Sequence, residues 1–364
     1  MKIKKKLQNN LKKIFQKLFI LMYGKVIFNK NYNFLNEDPS NCLDKVTINN
    51  NEYNCFKITN GKIYTDLVEN VAVISKNNLV KDACFQKVNG ELKNEIDNTC
   101  LKKGTPRFKK NKKGNLLSLI QDASENNYSH WLLDILPRLK IFEENNSMEE
   151  IDYFLLPELK YSFHYETLEI LNIPFDKILS DRKNRHIESK NLFVTDHPWY
   201  KKGFIHDEMI NMPEWIIVWL RNKFLSKAEN ENNNNKIYID RSDSLFNHCK
   251  IINSEQLWNL LKNNGFRKLK LTEINFKSQV GLFNFADIII GAHGAGLSNI
   301  IFSKPSSRVI EIKPKDHVNK FFTRVSKINN LEHKEVISKP LPLDTKNENG
   351  DILVDLDEIE KLIG

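Results

Sequence analysis

Between residues 236 and 329, short apolar runs and longer amphipathic ones alternate four times, and no other feature restricts the fold so strongly. Strands are expected at 236–240, 267–271, 287–291 and 308–312, with helices at 254–264, 276–285, 296–302 and 318–329. Asn253 is placed to cap the first helix and Gly265 to end it. Successive strand–helix units return through crossovers, so their sheet must be parallel. The C-terminal half therefore reads as Rossmann-like, and the chain as α/β.

Upstream the pattern is less regular. Residues 45–100 read as short β-rich pieces such as Val71 to Ile74, and residues 115–225 alternate strand-like runs (153–156, 192–194) with helix-like ones. The basic cluster Lys102, Lys103, Arg107, Lys109, Lys110, Lys112 and Lys113, broken by Gly104, Pro106 and Gly114, reads as a mobile loop. The expected division is a basic amphipathic helix at 1–30, an N-terminal α/β domain at 31–227, and a polar linker at 228–235. A C-terminal Rossmann-like domain at 236–340 and an amphipathic tail at 341–364 complete it.

Charge is unevenly placed. Residues 1–30 hold nine lysines and no acid, and removing those nine from the total of 55 leaves 46 basic residues against 46 acidic ones. A neutral body argues against nucleic acid, which needs its cations on the folded surface. Leu7, Leu11, Ile14, Leu18 and Met22 recur at helical spacing between the lysines. Two uses are open: a foot on an anionic membrane surface, or a lead-in helix packed on the body through Ile14, Phe15 and Phe19. No run of eighteen uncharged apolar residues is present, so no spanning helix is expected. Five cysteines without CxxC spacing suggest a reducing compartment, hence the cytoplasm, peripherally on the inner face of the membrane if the foot is used.

Two stretches carry chemistry. In the first, His130, Asp134 and Arg138 stand four residues apart on one helix face, with Asn127 extending the stripe backward. Large apolar side chains surround them, so the helix is expected to be buried and its ionisable groups perturbed toward proton transfer. A buried network that only ties elements together is the alternative. In the second, Gly291 to Asn299 leaves the end of a buried strand and opens a helix. The backbone amides of Gly294, Ala295 and Gly296, with His293 and Ser298, suit an anion at the carboxyl end of a parallel sheet. Arg241 and Glu311 stand at matching strand ends, for a diphosphate and for ribose hydroxyls respectively.

Together these stretches resemble glycosyltransferase family 61. The resemblance is carried by Asn127-Tyr128-Ser129-His130-Trp131-Leu132-Leu133-Asp134 with Leu136-Pro137-Arg138-Leu139, by Tyr238-Ile239-Asp240-Arg241-Ser242 and Gln279, and by His293 to Asn299 with Val309-Ile310-Glu311. It departs at Asn247-His248, where many relatives have arginine. Residues 1–114 carry no matching motif.

The resemblance implies a GT-B-like fold, two Rossmann-like domains facing a cleft, and an inverting, metal-independent transfer from a nucleotide sugar to a glycan or lipid-linked glycan in cell-surface polysaccharide biosynthesis. Asp134, with His130 as its rival, would be the base, and Arg138 would orient Asp134 or meet the sugar. Arg241, His293 and the amides of Gly294 to Gly296 would face the diphosphate. No cofactor or metal is expected, and the only DxD, Asp355-Leu356-Asp357, reads as a helix cap. A nicotinamide oxidoreductase would place its glycines after the first strand, not the third. A nucleotide-sugar epimerase or hydrolase and a non-catalytic binding scaffold are the remaining alternatives.

Overall fold

The computed structural model describes residues 2–120, 127–229, 235–243, 249–339, 341 and 350–364, with only the backbone of residues 2–9. Ser124 to Asn126, most of the expected linker, and Asn247-His248 lie outside the described residues. Two compact units are present: Met1–Lys160 with Ile173–Glu208, and Tyr161–Asn172 with Met209–Gly364. The chain is mixed α/β, with one large mixed sheet and one parallel sheet.

In the first unit, helix α1 (Lys2–Tyr23) precedes eleven strands. These are β1 (Cys42–Ile48), β2 (Asn51–Leu67), β3 (Asn70–Ser75), β4 (Asn78–Leu79), β5 (Phe85–Val88), β6 (Glu91–Leu92), β7 (Lys110–Ser118), β8 (Tyr153–Leu156), β9 (Ile178–Ser180), β10 (His186–Thr195) and β11 (Gly203–Phe204). Strands β1 to β6 pair antiparallel through short turns, and only β10-β7-β8-β9 are parallel neighbours. Strand β2 buries Tyr53, Cys55, Ile58, Ile63 and Tyr64, with residues 63–65 buried in succession on both faces, and this apolar burial drives the meander to fold.

Two expectations are corrected here. The basic cluster is not wholly a loop, because Lys110, Lys112 and Lys113 lie in β7. That strand pairs in parallel with β10, so backbone hydrogen bonding outweighs its poor strand propensity. On α1, Phe19 is buried as expected, whereas Ile14 and Phe15 are 62% and 55% exposed.

The second unit contains the expected parallel sheet, in the order β13-β12-β14-β15-β16. Its strands are β12 (Lys236–Ile239), β13 (Arg267–Leu269), β14 (Ile288–Ala292), β15 (Arg308–Lys313) and β16 (Glu332–Ile337). The fifth strand, β16, carries no strand signal in the sequence, because it opens on four consecutive polar residues, Glu332 to Glu335. Helices Ser254–Asn263 and Phe276–Phe285 fall where expected. Gly265 ends the first of them at φ +79°. Asn253 does not cap it through its side chain, which instead brackets the backbone of Val354. The core joins Tyr238, Ile290, Ile310 and Val336 of the sheet to Leu257, Leu261, Ile359 and Ile363 of the helices. Asp355 of the DxD caps helix Leu356–Ile363, as expected, by accepting from the amides of Asp357 and Glu358.

Candidate functional site

The first group of ionisable residues begins where Asn127 caps a helix, accepting from the amides of Ser129 and His130. The α-turn Tyr128–His130 runs into a π-helical turn, Trp131–Ile135, and then α-helix Leu136–Glu143. Pro137 supplies the reason for the wide turn. It has no N–H for the Leu133 carbonyl, and its ring would strike that carbonyl in a regular helix. The side chains at 130 and 134 still meet: His130 Nδ1 lies 2.6 Å from Asp134 Oδ2.

Asp134 has no exposed surface, and its other oxygen accepts from the Trp199 indole at 2.8 Å. His197 Nε2 stands 3.7 Å from Asp134 Oδ2. The amides of Trp199 and Tyr200 donate to His197 Nδ1, which places that ring's proton on Nε2, toward Asp134. Burial pushes the Asp134 carboxyl up, but His130 and His197 outweigh it and hold the group well below the usual carboxylate range. An ionised Asp134 makes His130 Nδ1 the donor, so the neutral imidazole keeps Nε2 bare. His130 is 15% exposed, which leaves it the reachable member of the pair.

Arg138 is placed differently from what the stripe suggested. It is fully buried, donating from Nε and Nη2 to the Oγ1 and carbonyl oxygen of Thr195. Burial pulls its pKa down to about 9. It ties the helix to the end of β10 and neither contacts Asp134 nor reaches solvent.

The second group lies wholly in the parallel-sheet unit. Gly294 has φ +155°, and a Cβ there would sit 2.6 Å from Arg241 Cζ, so glycine lets the guanidinium lie flat on the turn. Arg241 Nη1 donates to the His293 carbonyl. The helix after the turn, Ala295–Phe302, is 3-10 rather than α. Arg221 holds its C-terminal end through the carbonyls of Ile301 and Ser303, and Asn329 through those of Ile300 and Ile301. In its middle Asn299 donates to Gln279, whose own amide binds the carbonyls of Leu271 and Ile274, and to the Gly296 carbonyl. These bonds fix where the amides of Gly294, Ala295 and Gly296 point. Ser298 is fully buried behind them, with its Oγ unpartnered.

Glu311 lies beneath the turn, 1% exposed. His293 Nδ1 is 2.5 Å from one oxygen and His333 Nε2 3.0 Å from the other, so neither oxygen faces solvent to meet a ribose. Burial would raise this carboxyl, but hydrogen bonds from the two imidazoles and the charge of Lys313 hold it at about 2. Glu311, His333 and Glu335 form a candidate metal set, with ligand atoms within 4.8 Å of one another. Lys313 Nζ already lies 2.8 Å from Glu335 and 3.7 Å from Glu311, so an ion there would have to displace a buried ammonium.

Sequence reasoning missed His197, Trp199, His333, Lys313 and Glu335. The first two follow the end of β10 in the run Asp196-His197-Pro198-Trp199-Tyr200, a clustering of histidine and aromatics that was the available signal. His333 and Glu335 meet Glu311 through strand pairing, since β16 lies beside β15 with Glu335 opposite Glu311, whereas Lys313 stands two residues further along β15 itself.

The family model described as Glycosyltransferase 61 matches residues 128–310, just over half of the chain, which takes in His130 to Arg138, Arg241 and the turn at 293–299 and ends one residue before Glu311. The chain belongs to glycosyltransferase family 61. No curated protein matches it. Membership makes it a glycosyltransferase by family. The groups around His130 and around Arg241 include residues on which the resemblance to family 61 rests.

Proposed function

We propose that this glycosyltransferase moves a sugar from a nucleoside-diphosphate sugar to a hydroxyl of a glycan or lipid-linked glycan, with inversion and without a metal. The observation that carries this reading is the His130–Asp134 pair: a mostly buried imidazole, 15% exposed, whose Nδ1 is held by a fully buried carboxylate. His130 Nε2 takes the acceptor proton as the acceptor oxygen attacks the anomeric carbon. A new glycosidic C–O bond forms, the anomeric C–O bond to the diphosphate breaks, and its electron pair leaves on the phosphate oxygen. Asp134 stabilises the resulting imidazolium rather than taking the proton itself.

On the donor side, Arg241, His293 and the amides of Gly294 to Gly296 meet the charge that grows on the diphosphate. Glu311 orients His293, and Arg138 positions the helix that bears His130. A GT-B-like arrangement belongs to the same proposal, with the donor on the parallel-sheet unit and the acceptor on the mixed-sheet unit. Cell-surface polysaccharide is the product class that fits such chemistry.

The test begins with melting temperature in UDP, GDP, CDP and their sugars, because a ligand bound to the native state raises it by mass action. One nucleotide should stabilise the protein, and Arg241→Ala should remove that shift. Transfer from the matching sugar nucleotide should survive chelation with EDTA. No stabilisation by any nucleotide, or release of free sugar as the only reaction, would refute the proposal.

A further inference from the structure

Helix α1 presents a face that the body does not cover. At about 100° per residue, Leu11, Ile14, Phe15, Leu18, Leu21 and Met22 fall within an arc of roughly 120°. All six are exposed, Leu21 by 84%. The helix is nonetheless docked firmly. Gln16, Phe19, Ile20 and Tyr23 occupy the adjoining face, and these four are buried or partly buried. Phe19 packs edge-on against Phe108 at 5.2 Å, and Tyr23 accepts from the Lys109 amide. The uncovered arc is thus held in place by a second face that is satisfied.

Neighbouring segments extend the arc. Phe108 is 75% and Leu67 65% exposed. Both line a groove of about 720 Å³ together with Phe15, Leu18 and Met22. Basic side chains rim it: Lys12, Lys103, Arg107 and Arg185. Asp66 is the one acid among the lining residues, and it is bridged by Arg107 and Arg185. Lys13 and Lys17 are exposed on the same helix.

We infer that this face docks on the surface of an anionic bilayer, with Leu11, Phe15, Leu18, Leu21, Met22 and Phe108 entering the headgroup–acyl boundary and the lysines meeting lipid phosphates. Charge decides between occupants. A second copy would have to set the same basic patch against itself, and like charges across an isologous contact repel. An anionic lipid surface complements both properties at once, apolar centre and cationic rim. No helix among the described residues is long and apolar enough to cross a membrane, so contact would be peripheral. The inference is independent of the reaction proposed above and leaves that reading intact if it fails.

The full chain is sedimented with phosphatidylcholine vesicles that contain or lack phosphatidylglycerol. Binding is expected to the anionic vesicles alone and should weaken as salt rises. Phe15→Glu with Leu18→Glu should abolish it without lowering the melting temperature. Should that pair lower it, Lys12→Gln, Lys13→Gln and Lys17→Gln together, all on exposed positions, should weaken partitioning on the order of a hundredfold. Absence of binding to either vesicle, or binding that neither variant changes, would overturn the inference. So would a dimer in light scattering that Phe15→Glu dissolves while vesicles bind nothing, since the face would then belong to a second copy.

Discussion

The two units each contain a histidine resting on a buried carboxylate, and the pairs are nearly superimposable in description. His130 Nδ1 meets Asp134 at 2.6 Å, and His293 Nδ1 meets Glu311 at 2.5 Å. The histidines are 15% and 14% exposed, the carboxylates 0% and 1%. What differs is the company. Asp134 is otherwise held by the indole of Trp199 and faces His197. Glu311 is shared with His333 and Lys313, and the Arg241 guanidinium lies across the turn above. The same pair thus sits beside an indole and an imidazole in one unit and beside an ammonium and a guanidinium in the other. A His–carboxylate pair is therefore no evidence of a role until its neighbours are counted.

The comparison breaks most visibly at the first pair. His130→Gln should lower kcat by roughly 10²–10⁴, and Asp134→Asn by a similar factor through loss of the oriented imidazole. Both should leave the nucleotide-induced melting shift in place. If His293→Gln matched them in kcat with unchanged donor KM, the assignment of roles would be reversed. Arg241→Ala comes next, with transfer down by about 10²–10³ and the donor bound more weakly. Gly294→Ala should follow it in direction, because the new Cβ displaces the guanidinium.

Smaller effects concern stability. The Glu311 pKa is depressed from an ordinary 4.5 to about 2 in the folded chain. Its contribution is therefore full above about pH 4.5 and disappears as pH falls toward 2. Melting curves across that window should show a steeper loss for the native chain than for Glu311→Gln, by on the order of 3 kcal/mol at most. Trp199→Phe should be milder, since it removes one hydrogen bond to a charged oxygen, about 1.5–3 kcal/mol. Its cost should appear in kcat more than in donor KM.

Spacing and period made part of this legible. The four strand–helix repeats gave the parallel sheet because period and glycine placement agree along 236–329, and the four-residue step from His130 to Asp134 survives even a π-turn. The π-turn itself was signalled only by Pro137. What could not be read was contact across strands: His333 and Glu335 sit on a polar strand whose neighbour is set by the sheet, not by sequence separation. The same holds for Trp199, brought to Asp134 across 65 residues. The partners of buried groups were the other blind spot. The apolar surroundings of Arg138 signal its burial but not its bonds to Thr195, and nothing in the apolar strand around Glu311 signals the two imidazoles that take its oxygens.

The central claim is that Asp134 fixes the His130 ring with its proton on Nδ1. Long-range ¹H–¹⁵N correlation spectra of the histidine side chains, assigned with His130→Gln, report which nitrogen carries the proton in the neutral ring. The account predicts a protonated Nδ1 and a bare Nε2 in the native chain, with that preference lost in Asp134→Asn. A proton resident on Nε2 of the neutral His130 ring would contradict it.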